Sequence, residues 1–153
     1  MVTLLCGPPC AGKTTLAKRL AKPGDVVLDF DDICVELGST TQWAHSQQVR
    51  HQAEALMRTR MAKLRQSRAS GYVIRTAPDA HQRAALAHQL GAEAVWVLDP
   101  GYAECIRRAR TRPRGTAQAI RRWYLRYAPS TVDQPCPWAE VVPAQPLPTS
   151  RVW

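Results

Sequence analysis

Apolar positions in this chain fall into two alternating rhythms. Short apolar runs at 2–6, 26–30, 72–75 and 94–98 predict four strands, each bounded by turn residues. Between them the apolar spacing changes to three and four. Leu16, Ala17 and Leu20 share one face of a helix over about 13–21, and a short helix over about 32–37 stops at Gly38. Val49, Ala53, Leu56, Met57, Met61 and Leu64 form a single stripe over about 46–68. A helix over 78–90 has Asp79 near its start and Gly91 after its end. Helices over 102–110 and 117–127 flank an Arg/Pro/Gly break at 112–115. Strands that alternate with helices predict an α/β fold, a parallel sheet of four or five strands with helices on both faces.

A length of 153 residues fits one domain, expected over 1–128. The remaining 129–153 holds half of the twelve prolines and little periodicity. It is expected to pack on the domain or trail from it, with one final short strand near 140–142. No apolar run approaches a membrane span, and the first strand begins at residue 2, so neither an anchor nor a leader is expected. The five cysteines, Cys6, Cys10, Cys34, Cys105 and Cys136, form no metal-ligand spacing, which suggests reduced thiols in a cytoplasm. His45, His51, His81 and His88 form no ligand pattern either.

Charge changes the picture. The formal net charge is +9, and eight arginines stand against Glu104 between Gly101 and Ala128. Such a segment attracts polyanions, whether nucleotide phosphates or a nucleic-acid backbone.

The chemistry begins at residues 7 to 14, Gly-Pro-Pro-Cys-Ala-Gly-Lys-Thr. They fit the G-x-x-x-x-G-K-[ST] phosphate-binding loop at every fixed position, between a strand and a helix as the motif requires. Gly7 and Gly12 let the backbone curl so that successive N–H groups point inward, toward the positive end of the following helix. Lys13 can reach the β- and γ-phosphates, and the Thr14 hydroxyl can ligate Mg²⁺. Cys10 fills an open position in the loop, though neighbouring cations could also make it reactive.

Asp29, Asp31 and Asp32 follow the second strand, at the carboxyl edge where open parallel sheets bind ligands. A carboxylate there can accept a hydroxyl proton or hold Mg²⁺. It can also simply cap the 32–37 helix, a role open to Asp31 or Asp32.

Together the loop, the segment FDDICVEL and the stretch CIRRARTRPRGTAQAIRRWY resemble the kinase domain of phage polynucleotide kinase and related small P-loop kinases, over roughly residues 1–127. The resemblance implies a P-loop kinase fold with an Arg-rich helical lid, using ATP and Mg²⁺. It places the general base at Asp31 and makes Arg108 and either Arg112 or Arg114 lid arginines against the ATP phosphates. The implied catalytic set is then Asp31, Lys13, Arg108 and Arg114. The implied nucleotide contacts are Gly7, Cys10, Ala11, Gly12, Lys13, Thr14, Thr15 and Arg112, with Thr14 and Asp29 on the metal.

The chain departs from that pattern at Cys34, where the polynucleotide kinases carry an arginine that holds a phosphate of the nucleic-acid end. Arg75 is the candidate replacement, with a solvated strand-end arginine as the alternative. Asp32 and Trp43 are further candidates on the acceptor side, Trp43 as a stacking partner for a flipped base. Trp123, Tyr124 and Tyr127 suit either base stacking or helix packing. The expected partner is DNA, phosphorylated at a 5′-hydroxyl end or, as in phage kinases of this type, at 5-hydroxymethyluracil. A kinase for a small molecule and a nucleotide-binding module without catalysis are the competing readings.

Overall fold

A computed structural model describes residues 1–137. The strands are β1 (Val2–Cys6), β2 (Val26–Asp29), β3 (Gly71–Arg75), β4 (Ala94–Val97) and β5 (Gln134–Pro135). They form one sheet in the order β2-β3-β1-β4-β5, and every pairing is parallel. The helices are α1 (Lys13–Leu20), α2 (Phe30–Glu36), α3 (Gln47–Gln66), α4 (Ala80–Leu90), α5 (Tyr102–Arg108) and α6 (Thr116–Arg126), with a 3₁₀ turn at Ala109–Thr111.

Strand alternation sends neighbouring side chains to opposite faces. Leu4, Cys6, Leu28, Val73 and Val95 pack against Ile33 and Cys34 of α2 and against Ala53, Met57, Met61 and Leu64 of α3. Leu5, Ile74 and Trp96 face the other way, onto Ala17 of α1. A separate cluster of Cys105, Ala109 and Ile120 holds α5 and α6 together and touches Cys10 of the loop.

The fifth strand arises at Gln134–Pro135, paired with Trp96 and Val97. The strand expected near 140–142 lies outside the described residues. Behind β5, Arg83 of α4 is fully buried. Its Nε donates to Asp133 at 2.9 Å, and its Nη1 donates to the carbonyls of Ala77 at 2.9 Å and Pro78 at 2.7 Å. Its Nη2 donates to the Ala128 carbonyl and to Asp133. One guanidinium thus ties the chain after α6 to the turn after β3, where Ala77 adopts a φ of 30°.

The start of α2 corrects one expectation. The helix begins at Phe30, and its cap is Asp29, whose carboxylate accepts from the Asp31 N–H at 3.0 Å. Neither Asp31 nor Asp32 occupies the capping position, because the helix starts two residues earlier than the apolar pattern indicates. Both carboxylates are thereby released for other contacts.

Candidate active site

Because β3 lies between β1 and β2, the phosphate-binding loop after β1 and the acids after β2 flank the carboxyl end of β3. A cleft of about 810 Å³ opens over that edge. Loop residues Cys10 to Thr15 form one wall, Asp29 to Asp31 and Trp43 to His45 another, and Arg112 to Thr116, leading into α6, a third. Ile74, Arg75 and Thr76 line it from β3, and Arg50 and Glu54 from α3.

The loop has the backbone its motif demands. Gly12 has a φ of 91° and Gly7 a φ of 149°, and a Cβ on Gly7 would stand 2.2 Å from the Leu98 carbonyl oxygen. Cys10 takes a left-handed φ of 65° without being glycine. Burial pushes its thiol pKa up despite Arg112, Lys13 and Arg108 nearby, so Cys10 stays protonated and fills the loop.

Lys13 is buried, and its Nζ donates to the carbonyls of Gly7 at 3.0 Å and Pro8 at 2.6 Å. Desolvation lowers its pKa to about 8. The Thr14 hydroxyl donates to Asp29 Oδ2. A hydroxyl and a carboxylate in contact beside a phosphate loop are hard oxygen donors that fit Mg²⁺, which binds through one or two carboxylates and substrate phosphates. Among the described residues no group of three or more His, Cys, Asp or Glu gathers as a metal cage.

Asp31 lines the cleft, and burial raises the pKa of its carboxyl. Its Oδ1 meets His45 Nε2 at 2.9 Å, and His45 Nδ1 meets Ser39 Oγ at 2.7 Å. His45 and Ser39 carry no sequence signal, since an irregular loop brings them to Asp31.

The arginines expected in a lid divide. Arg108 Nη1 donates to the Cys10 carbonyl at 3.1 Å, while its Nε donates to Glu104 at 2.7 Å. Arg107 and Arg108 together hold the Glu104 carboxyl down at about 2. Arg112 and Arg114 line the cleft, and Arg112 lies 3.4 Å over the Trp43 ring. The Trp43 face considered for a base is therefore covered by a guanidinium.

Other candidates sit elsewhere or arrive paired. Asp32 lies outside the cleft lining and pairs with Lys18 at 2.9 Å. Arg75 lines the cleft but pairs with Glu54 at 3.1 Å and stands 5.8 Å from the Phe30 ring centroid, so it is not the solvated strand-end arginine. Cys34 is fully buried in the core. Trp123 donates to the Thr76 carbonyl at 2.6 Å and stacks on Tyr127 at 4.7 Å, while Tyr124 donates to Asp99. All three aromatic residues serve packing of α6.

No described helix is long and apolar enough to cross a membrane. No curated protein matches the chain. Its fold is similar to solved structures of low identity. A chain of the Pnkp1/Rnl/Hen1 RNA repair complex superposes with a TM-score of 0.62 at 15% identity, over 83% of this chain and 46% of that one. A gluconokinase from Sinorhizobium meliloti 1021 gives 0.59 at 16%, over 88% and 80%. Shikimate kinase from Acinetobacter baumannii, in complex with shikimate, gives 0.56 at 21%, over 81% and 74%. The chain spans under half the length of the RNA-repair chain it resembles. These likenesses carry the fold, a P-loop kinase fold with a five-stranded parallel sheet. Residues 2–127 match the AAA domain family, and the chain belongs to it.

Proposed function

We propose that this protein is an ATP-dependent kinase that transfers the γ-phosphoryl group to a hydroxyl of DNA. The observation that carries the reading is the place of Asp31, a carboxylate that shares one cleft with Lys13 and Thr14 of the phosphate loop. A nucleotide-binding module has no use for a base at that position.

In this reading the loop N–H groups and Lys13 hold the triphosphate. Asp31 Oδ2 takes the proton of the acceptor hydroxyl as its oxygen bonds to the γ-phosphorus. The bond from γ-phosphorus to the bridging oxygen breaks, and ADP leaves. The raised pKa of Asp31 strengthens it as proton acceptor. Thr14 and Asp29 would hold Mg²⁺, which neutralises phosphate charge when bound. Arg108 and Arg114 offset charge on the transferred group, Arg112 reaches the triphosphate from the same lid, and closure keeps water from competing.

DNA as acceptor is supported by the formal charge of +9 and by Arg50, Arg75 and Arg122 among the residues that line the cleft. Arg50 lines the same cleft from α3 and is a candidate for the role of the arginine absent at Cys34. Within this reading the hydroxyl belongs to a 5′ end or to a 5-hydroxymethyluracil base, the latter requiring Arg112 to leave Trp43 before the base can stack there. A small-molecule acceptor is the second reading, since the cleft of about 810 Å³, which also takes in the phosphate loop, lies within the size range of small-ligand pockets.

The test is transfer from γ-labelled ATP with Mg²⁺ to a panel of 5′-hydroxyl oligonucleotides, duplex DNA containing 5-hydroxymethyluracil, nucleosides and sugars. Label in either DNA class supports the proposal. Label confined to small molecules moves the acceptor assignment to the second reading. ATP binding without transfer to any acceptor overturns the kinase reading.

A further inference from the structure

We infer that His45 is a positioning residue that fixes the rotation of the Asp31 carboxylate, and that Ser39 sets the His45 tautomer that does so. This rests on the kinase reading above for its consequence, but its geometry stands apart from it.

The connection between α2 and α3 has no regular structure, yet it delivers one ring to one carboxylate. His45 Nε2 lies 2.9 Å from Asp31 Oδ1, with the His45 side chain only 4% exposed. Phe30 packs against the ring in a T-shaped arrangement, with centroids 6.5 Å apart and planes at 76°. Ser39 Oγ lies 2.7 Å from the other ring nitrogen.

Proton counting selects one arrangement for a neutral ring. A carboxylate only accepts, so Nε2 must carry the hydrogen that reaches Asp31. Nδ1 then holds a lone pair and must accept, and the Ser39 hydroxyl is the donor in reach. Ser39 Oγ also lies 3.1 Å from the Thr41 carbonyl and 3.5 Å from that of Ala44, but the ring nitrogen is closer than either. A hydrogen bond on the second nitrogen is a common way to set which nitrogen of a histidine is protonated.

The consequence falls on Asp31. Its backbone N–H is held by Asp29, and its Oδ1 is occupied by His45. Its Oδ2 has no hydrogen-bond partner among the described residues, so one oxygen is anchored and the other is left for the acceptor hydroxyl. During transfer the proton moves from that hydroxyl to Oδ2, and His45 keeps its own. His45 therefore orients the base without relaying a proton. Misplacement of a reacting group by about 1 Å costs on the order of 100-fold, which sets the scale for losing such an anchor.

The test uses the full chain in two measurements. In ¹⁵N-histidine NMR, wild type is expected to show His45 as the Nε2–H tautomer, and Ser39→Ala to shift it toward a mixture. A wild-type Nδ1–H tautomer would overturn the inference whatever the enzyme does. With the acceptor that wild type labels, His45→Ala is expected to lose about 10- to 100-fold in kcat with KM for ATP unchanged. His45→Gln, whose amide can still donate to Asp31, is expected to recover most of that loss, and His45→Asn, which is too short, is not. Wild-type kcat in His45→Ala, or equal loss in the Gln and Asn variants, would reject positioning. A wild-type protein that binds ATP and labels nothing would remove the kinase reading, while the tautomer result would still decide the hydrogen-bond chain.

Discussion

Asp29 and Thr14 are joined by a direct hydrogen bond between two elements that β3 holds apart: the Thr14 hydroxyl donates to Oδ2, while Oδ1 of the same carboxylate caps α2. One side chain therefore fixes the phosphate loop relative to the acidic segment. Asp29→Ala removes both bonds from a buried position. Expected is a loss of about 1–2 kcal/mol in urea unfolding, the scale of a cap together with a buried hydrogen bond. An unchanged midpoint would show that Asp29 is dispensable for joining these elements.

Lys13 makes stability depend on pH in a definite direction. Its pKa falls from 10.5 to about 8 on folding because burial penalises the charged form. Between those values the unfolded chain holds more protons than the native one, so stability rises with pH. This contribution is complete above 10.5 and is lost as pH falls through about 8. Lys13→Met removes the titration. The stability of wild type minus that of the variant should grow by on the order of 3 kcal/mol from pH 7 to 11. A difference that stays flat across this range would contradict the buried, depressed lysine.

Asp31→Asn keeps the size of the side chain and removes its basicity. Expected is loss of phosphoryl transfer by a factor of about 10² or more, with ATP affinity within about twofold of wild type by calorimetry. Comparable turnover would remove Asp31 as the base. A parallel fall in ATP affinity would assign it to nucleotide binding instead.

Arg83→Met is expected to be the most damaging change outside the site. It strands Asp133, which is 15% exposed, and leaves the carbonyls of Ala77, Pro78 and Ala128 without their donor. Breaking one partner of a buried ion pair costs about 3–5 kcal/mol. Chemical denaturation measures it directly, and a loss under about 1 kcal/mol would mean that other contacts hold the chain after α6 to the sheet.

The legible parts of this molecule were those whose information is local. The phosphate loop is written in eight consecutive residues, and the stripe from Val49 to Leu64 sits wholly within α3. The helix start at Asp79 is equally local. What escaped was set by distance in sequence. Strand β5 is two residues long, contains a proline and exists through its pairing with Trp96 and Val97. His45 reaches Asp31 across fourteen residues of helix and loop, so no spacing announces it. Arg75 could be read as a cation, but Glu54, twenty-one residues earlier, neutralises part of that charge only once α3 has packed beside β3. Cys34 turned inward for the same reason, as α2 buries the face that carries it.

The guanidinium of Arg112 resting 3.4 Å over the indole of Trp43 gives the molecule a reporter of its own. A cation that close to the ring perturbs its excited state, so departure of Arg112 toward a triphosphate would register as a change in tryptophan emission without any added label. Trp96 and Trp123 are buried, whereas Trp43 is exposed and lies under Arg112, so among the described tryptophans Trp43 is the one in contact with the moving guanidinium. Stopped-flow fluorescence could then time the lid against the appearance of phosphorylated product, and tell whether closure or chemistry sets the pace.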